Sequence, residues 1–333
     1  MTSPPPPILD EFGLIARHLA PLATHKGADG LRDDVAILAA GSFDGDLVIN
    51  TDAVVSGVHF LETENPALIA ERVLRVNLSD LAAKGAKPLG YQLTLALPSV
   101  VDDAWMASFA AGLRANQAAF NWSLLGGDTV RSPGPLTISV TAFGTVPHAK
   151  ALRRGGAQIG DEIWVTGWIG DGALGLAIAK GHDLSLPTGI AAAAEQKFRL
   201  PQPRIAFGVA LAESGLATAS ADVSDGLIAD LGHIASASAL GMAIEAASVP
   251  LSDAGRLMTE RDAEWLPRLL TGGDDYEVIF TAPPLAAQQL AAMAEATRTP
   301  LCRIGHTIAG TEVVVTLPNG DALPMLTSGY THF

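Results

Sequence analysis

The residues best suited to chemistry are aspartates, and they come in six short segments. These are Asp33-Asp34, Thr51-Asp52, Asn77-Leu78-Ser79-Asp80, Gly126-Gly127-Asp128-Thr129, Asp222-Val223-Ser224-Asp225-Gly226 and Gly272-Gly273-Asp274-Asp275. Singly, each has a plain structural explanation. Asp before Gly is a common turn, and Ser224 or Asp225 could cap a helix starting near Gly226. Together they mean more. Carboxylates at strand ends converge on one edge of a sheet, where like charges repel unless cations bridge them. Magnesium is the cation that fits, because it takes hard oxygen ligands and shares them among carboxylate, water and phosphate. Zinc fits poorly: the eight histidines are scattered, with no HxxxH and no Cys/His pair. Glycines beside the acids let backbone amides approach phosphate oxygens. Acids that hold metal and amides that meet phosphate point to nucleotide chemistry.

The usual phosphate signatures are missing. The chain has no GxxxxGK[ST] and no HRD/DFG set. Gly167-Trp168-Ile169-Gly170-Asp171-Gly172 is glycine-rich but does not match GxGxxG, and it reads as a strand–helix turn.

The elements that must position these acids follow from periodicity. Helical spacing appears over 11–22, from Pro66 to about Gly85, from Asp102 to about Asn121, and over 172–180, 204–214, 226–238 and 285–297. Strands are expected at 35–38, 47–55, 89–97, 123–125, 136–146, 162–166, 242–246, 276–281, 301–304 and 312–316. Strands and helices mixed in both halves give an α/β (α+β) class. The 333 residues exceed what one core usually serves. The Gly- and base-containing run at 148–160, just after Pro147, marks a linker. The expected layout is a disordered Pro-rich lead at 1–9, an N-terminal α/β domain at 10–147 and a C-terminal one at 161–333.

Composition narrows the function. Apolar residues make up 48% of the chain and charged residues 17%, a globular balance. A net charge of −14 disfavours nucleic acid and anionic membrane surfaces as partners. The single cysteine, Cys302, excludes an internal disulfide and reads as a buried strand residue. The start lacks the pattern of a signal peptide, and no apolar run nears the ~20 residues that span a bilayer. The expectation is a soluble, cytoplasmic protein.

In order and spacing, the motifs resemble the thiamine-monophosphate kinase family. They are Asp33-Asp34 followed by Val-Ala-Ile-Leu, Asn50-Thr51-Asp52, Gly57-Val58-His59-Phe60, Asn77 through Ala83, Gly126 through Thr129, Val223 through Leu227, Gly272 through Glu277 and Gly329 through Phe333. The resemblance covers nearly the whole chain. It implies a two-domain subunit of the aminoimidazole ribonucleotide synthetase-like type and a homodimer whose N-terminal sheets pair. It also implies ATP-dependent conversion of thiamine monophosphate to thiamine diphosphate with several magnesium ions. Carried over by motif, Asp34, Asp52, Asp80, Asp128 and Asp222 would bind magnesium, with Asn50, Thr51 and Asp225 as further metal contacts. Gly127, Asp128, Arg154 and Ser224 would contact ATP, and His59, Asp274 and Tyr330 thiamine monophosphate. No general base or covalent nucleophile is implied. Many relatives have Glu where this chain has Asp274, and Ser or Thr where it has Asn50. On the residues alone, His59 also reads as a partly buried structural histidine, Tyr330 as a packing anchor and Arg154 as a linker charge. A non-catalytic ATP-binding protein is the competing reading from a different class.

Overall fold

The computed structural model describes residues 11–323 and Gly329. The expected lead at 1–9, Tyr330 and the rest of the tail motif lie outside the described residues. The chain forms two compact units: residues up to Asn77 with Pro88–Thr145, and Leu78–Lys87 with Val146 onward.

The first unit contains α1 (Glu11–Leu14), β1 (Asp46–Val55), most of α2 (Pro66–Ala83), β2 (Lys87–Leu97), α3 (Asp103–Phe120), β3 (Ser123–Arg131) and β4 (Thr137–Val146). Its sheet runs β1-β4-β2-β3. Asp102 caps α3 as expected, its side chain accepting from the Trp105 amide at 2.8 Å. Every second residue of β4 is buried, from Ile138 to Val146, whereas β1 buries only Val54. The core gathers Leu74, Tyr91, Leu95, Phe109 and Leu113. Tyr91 sits fully inside because its hydroxyl accepts from Gln117 at 3.1 Å.

The second unit holds β5 (Glu162–Thr166), α4 (Asp171–Ala179), α5 (Thr188–Arg199), α6 (Ile205–Ser214), β6 (Ala219–Asp222), α7 (Leu227–Ser238), β7 (Gly241–Glu245), α8 (Asp253–Arg261), α9 (Trp265–Thr271), β8 (Val278–Ala282), α10 (Ala287–Ala296), β9 (Leu301–Ile308) and β10 (Val313–Thr316). Its sheet runs β10-β7-β9-β5-β8-β6. Inward residues such as Ile163, Val165 and Ile279 pack with Leu227, Leu231 and Ile234 of α7. The mixed α/β class holds in both units.

Several local expectations change. Residues 35–38 form no strand. Val35 and Ile37 are exposed, and the Ile37 amide is held by the Gly27 carbonyl at 2.8 Å instead of a ladder. The helical pattern at 11–22 breaks into α1, a π turn over Ile15–Leu19 and a 3-10 turn over Ala20–Leu22. Pro21 lacks the amide that would continue a regular helix. The strand expected at 123–125 continues to Arg131, so Gly126-Gly127-Asp128 lies inside β3. Elements α5, β6, α8 and α9 were not expected: β6 is the weakly β-prone Ala-Ser-Ala-Asp, yet all four residues are buried. Cys302 lies on β9 as expected but only half-buried. Among the described residues, no helix is long and apolar enough to cross a membrane.

Candidate functional site

In the first unit, Asp34, Gly127 and Asp128 line one cavity of about 360 Å³, together with Asp33, Thr94 and Thr141. The acids are exposed and self-supported: the Asp34 amide donates to the Asp33 carboxylate at 2.7 Å, and the Thr129 amide to Asp128 at 2.9 Å. A register shift between β2 and β3 at Tyr91/Gln92 sets Gly127 opposite Leu93. Irregularities of this kind recur where a strand must re-aim a side chain. A Cβ on Gly127 would fall 1.8 Å from the Leu93 carbonyl oxygen, so only glycine allows this approach.

Strand β1 carries the next three candidates. Asn50 Nδ2 donates to Asn77 Oδ1 at 3.1 Å, and fully buried Asn77 donates to the Val73 carbonyl. The Thr51 hydroxyl donates to the Val140 carbonyl at 3.0 Å and accepts from Thr141 at 3.2 Å, which puts Thr51 beside a cavity residue. Asp52 is half-buried on the same strand. His59 is half-buried, and its Nδ1 accepts from the Val55 amide at 3.0 Å. The neutral ring therefore carries its proton on Nε2. Arg72 holds the loop by donating to the His59 carbonyl at 3.1 Å.

In the second unit, the end of α2 meets β6. Ser79 donates to Asp222 Oδ2 at 2.8 Å, and the Lys84 ammonium donates to the Ser220 carbonyl at 3.0 Å. Burial lowers the Lys84 pKa; Asp222 and Asp80 oppose that, while Arg154 and Arg153 add to it. Asp80, Asp222 and exposed Arg154 thus share an electrostatic neighbourhood with Lys84, a residue that sequence reasoning missed.

Beyond β6, the amides of Ser224, Asp225 and Gly226 all donate to Asp230 Oδ2, at 2.9, 3.0 and 3.2 Å. Asp230 is buried, and that burial, reinforced by the Asp222 and Asp225 carboxylates, pushes its pKa up to about 7 against the pull of the Ser224 and Asp225 amides. Ligand atoms of Asp225, Asp230 and His233 lie within 4.8 Å of one another. Asp230 and His233 had escaped notice, although their i,i+3 spacing on a helix was the available signal. Asp274 reaches this group through its amide, which donates to the Ser224 carbonyl at 2.9 Å.

The glycine-rich 167–172 segment is a strand–helix turn, between β5 and α4. Its Gly170 and Gly172 amides donate to the Asp275 carboxylate, at 2.7 and 2.9 Å, so the protein's own acid occupies them. Burial holds the Asp275 carboxyl well above the usual carboxylate range despite those two amides. Beside it, Arg204 grips Glu277 with two hydrogen bonds of 2.6 and 2.5 Å, and Thr166 donates to the same carboxylate at 2.7 Å. Every expected site residue except Tyr330 thus lies among the described residues, in one unit or the other.

Known proteins share this layout. The AIR synthase related protein N-terminal domain matches residues 32–146, and the AIR synthase related protein C-terminal domain matches residues 158–318. The thiamine-monophosphate kinase of Caulobacter vibrioides is 40% identical over 318 residues, covering 94% of this chain and 88% of its own. That of Escherichia coli K12 is 40% identical over 328 residues, covering 97% and 98%. Among solved structures, the thiamine-monophosphate kinase of Stenotrophomonas maltophilia K279a superposes with a TM-score of 0.78 at 40% identity, covering 88% of this chain and 91% of that one. AaThiL complexed with AMPPCP and TMP gives 0.75 at 28% identity, with 97% of each covered. Escherichia coli HypE, a hydrogenase maturation protein, gives 0.78 at 17% identity over 97% and 99%, a likeness of fold alone. With both domain models matched in order and such identity over nearly its full length, the chain belongs to the thiamine-monophosphate kinase family of AIR synthase related proteins.

Proposed function

We propose that this protein transfers the γ-phosphoryl group of ATP to thiamine monophosphate, giving thiamine diphosphate and ADP, with magnesium required. The observation that carries the reading is the set of carboxylates held beside close-approach backbone. Asp34 and Asp128 flank Gly127 at one cavity, and Asp222 and Asp225 crowd Asp230 in the second unit. The relatives named above, one of them complexed with AMPPCP and TMP, support the choice of substrates.

The donor set suits magnesium. It is dominated by hard oxygens; burial is the main cause that raises Asp230, and the repulsion that Asp222 and Asp225 add is what a divalent cation would relieve. Asp34, Asp52, Asp80, Asp128, Asp222 and Asp225 would hold the ions, with the Asn50 amide oxygen and Thr51 hydroxyl assisting. Bound magnesium would neutralise the two mutually repelling anions, the ATP triphosphate and the acceptor phosphate, and stabilise the entering and leaving oxygens. Gly127, Asp128, Arg154 and Ser224 would orient ATP, and His59, Asp274 and Tyr330 thiamine monophosphate. The attacking phosphate oxygen is already ionised at neutral pH, since a phosphomonoester has a second pKa near ~6. No general base is needed, and transfer is in-line without a phosphoenzyme. Positioning and charge neutralisation do the work.

The exposed apolar residues Leu47 and Ile49 on edge strand β1 support pairing of two N-terminal sheets in a homodimer. The cytoplasm is the compartment in keeping with a single cysteine and an ATP substrate.

Labelled transfer tests the mechanism. With ATP labelled at the γ-phosphorus, the label should appear only in the terminal phosphate of thiamine diphosphate. Label trapped on the protein would refute direct transfer.

A further inference from the structure

We propose that Tyr276 is a positioning residue for the substrate, its phenol orienting the Asp274 carboxylate on a turn that Asp275 pins from within. The inference rests on the reading of Asp274 as a contact for thiamine monophosphate.

The turn just before β8 is unusual in its backbone. Asp274 and Tyr276 both lie in the left-handed region, with φ of 73° and 51°. A non-glycine residue stays there only where its surroundings hold it, and such residues cluster at ligand sites. The surroundings are explicit. Asp275, between the two, takes the Gly170 amide on Oδ2 and the Gly172 amide on Oδ1. The amide of Asp274 donates to the Ser224 carbonyl at 2.9 Å, and that of Tyr276 to the Val223 carbonyl at 2.7 Å. The approach is close: a Cβ on Gly273 would lie 2.4 Å from the Ser224 carbonyl oxygen.

On a turn fixed at four points, the orientation of the Asp274 carboxylate decides what it can meet. The Tyr276 hydroxyl restrains it, donating to Asp274 Oδ1 at 3.0 Å. Both groups are partly exposed. One carboxylate oxygen is thereby held by the phenol, which sets the plane of the carboxylate. The carboxylate is thereby set at a defined angle for a hydrogen-bond donor on the substrate, such as an exocyclic amine. Aspartate has one rotatable bond fewer than glutamate, so a single hydrogen bond orients it more fully. Asp275 holds the backbone, Tyr276 sets the angle and Asp274 makes the contact.

Steady-state kinetics on the full chain with magnesium, ATP and thiamine monophosphate test this. Tyr276→Phe removes one oxygen and keeps the ring. Its KM for thiamine monophosphate should rise about tenfold, as for loss of one hydrogen bond to a charged group, while kcat and the KM for ATP stay within about twofold. Asp274→Ala should raise the same KM, and adding Tyr276→Phe to it should raise it no further, since the phenol acts through that carboxylate. Independent, multiplying effects of the two substitutions would overturn the proposal. So would a lowered melting temperature in Tyr276→Phe with both KM values changed alike, the mark of a purely structural residue. An unchanged KM in Tyr276→Phe beside a raised one in Asp274→Ala would remove Tyr276 but keep the contact. An unchanged KM in Asp274→Ala would remove the contact and the proposal with it. Failure of the wild-type protein to form thiamine diphosphate would refute the function itself, before any variant is compared.

Discussion

Asp230 makes the stability of the second unit depend on pH in a direction that can be worked out. Its carboxyl has a pKa of about 7 in the folded protein, against an ordinary value of 3.8. The folded state therefore binds a proton more tightly than the unfolded chain does. Stability is fully present below about pH 4 and is lost as pH rises through about 7, the reverse of the usual salt-bridged aspartate. A gap of about three pH decades corresponds to roughly 4 kcal/mol of destabilisation once the group is ionised, an upper figure for a site that can relax. Burial raises the carboxyls of Asp275 and Asp171 as well, so they slope the wild-type curve in the same sense. Asp230→Asn separates the contributions. Asparagine keeps an oxygen for the Ser224, Asp225 and Gly226 amides but cannot ionise. Urea unfolding in metal-free buffer, followed by tryptophan fluorescence at pH 5 and pH 8, should show the wild type losing stability at the higher pH. Asp230→Asn should lose less, by roughly 2.6 kcal/mol or below, because more than a third of the full gap is already lost below pH 5. Magnesium at pH 8 should restore wild-type stability more than that of the variant, because it neutralises the charge that the variant lacks. If the two proteins lose stability in parallel between pH 5 and pH 8, the account of Asp230 is wrong.

Other consequences are simpler to check. Asp128→Asn should lose most kinase activity while its thermal unfolding stays close to wild type, because the side chain is exposed at a cavity; near-normal turnover would remove it from the metal set. Gly127→Ala should destabilise the first unit and impair ATP use, since the new methyl meets the Leu93 carbonyl at 1.8 Å; an unfolding midpoint equal to wild type would contradict the close packing of β2 on β3. Arg204→Met should cost about 3–5 kcal/mol by leaving Glu277 charged and buried, whereas Arg204→Met with Glu277→Leu should recover part of that loss in denaturant unfolding. Arg154→Ala should raise the KM for ATP more than that for thiamine monophosphate, and equal effects would return Arg154 to the role of a linker charge.

The sequence singled out the candidate acids more readily than how they are held. The apolar periodicity of 66–83 exposed Asp80 as an odd polar member of a helix, and α2 has that form. Alternating Val and Ile residues made β1 and β4 legible. What stayed hidden depends on pairing between distant segments. Asp230 looks like an ordinary helix residue until the 224–226 amides fold back onto it. Asp275 looks like one half of an acidic pair until the 167–172 turn arrives from about a hundred residues away to donate two amides. Lys84 gains meaning only beside Asp222 and the Ser220 carbonyl. The 35–38 segment shows the opposite error, for its Val-Ala-Ile-Leu run has strand composition but gains no ladder in the structure. Short β6 was invisible because its alanines and serine owe their place to burial rather than to propensity.

The proposed reaction is a magnesium-dependent phosphoryl transfer to thiamine monophosphate. Its most direct test is chromatography of the purified protein incubated with ATP and thiamine monophosphate, with and without magnesium. Equal amounts of ADP and thiamine diphosphate are expected, formed only when magnesium is present. Thiamine diphosphate formed equally well in chelator, or no thiamine diphosphate from folded protein that binds ATP, would contradict it.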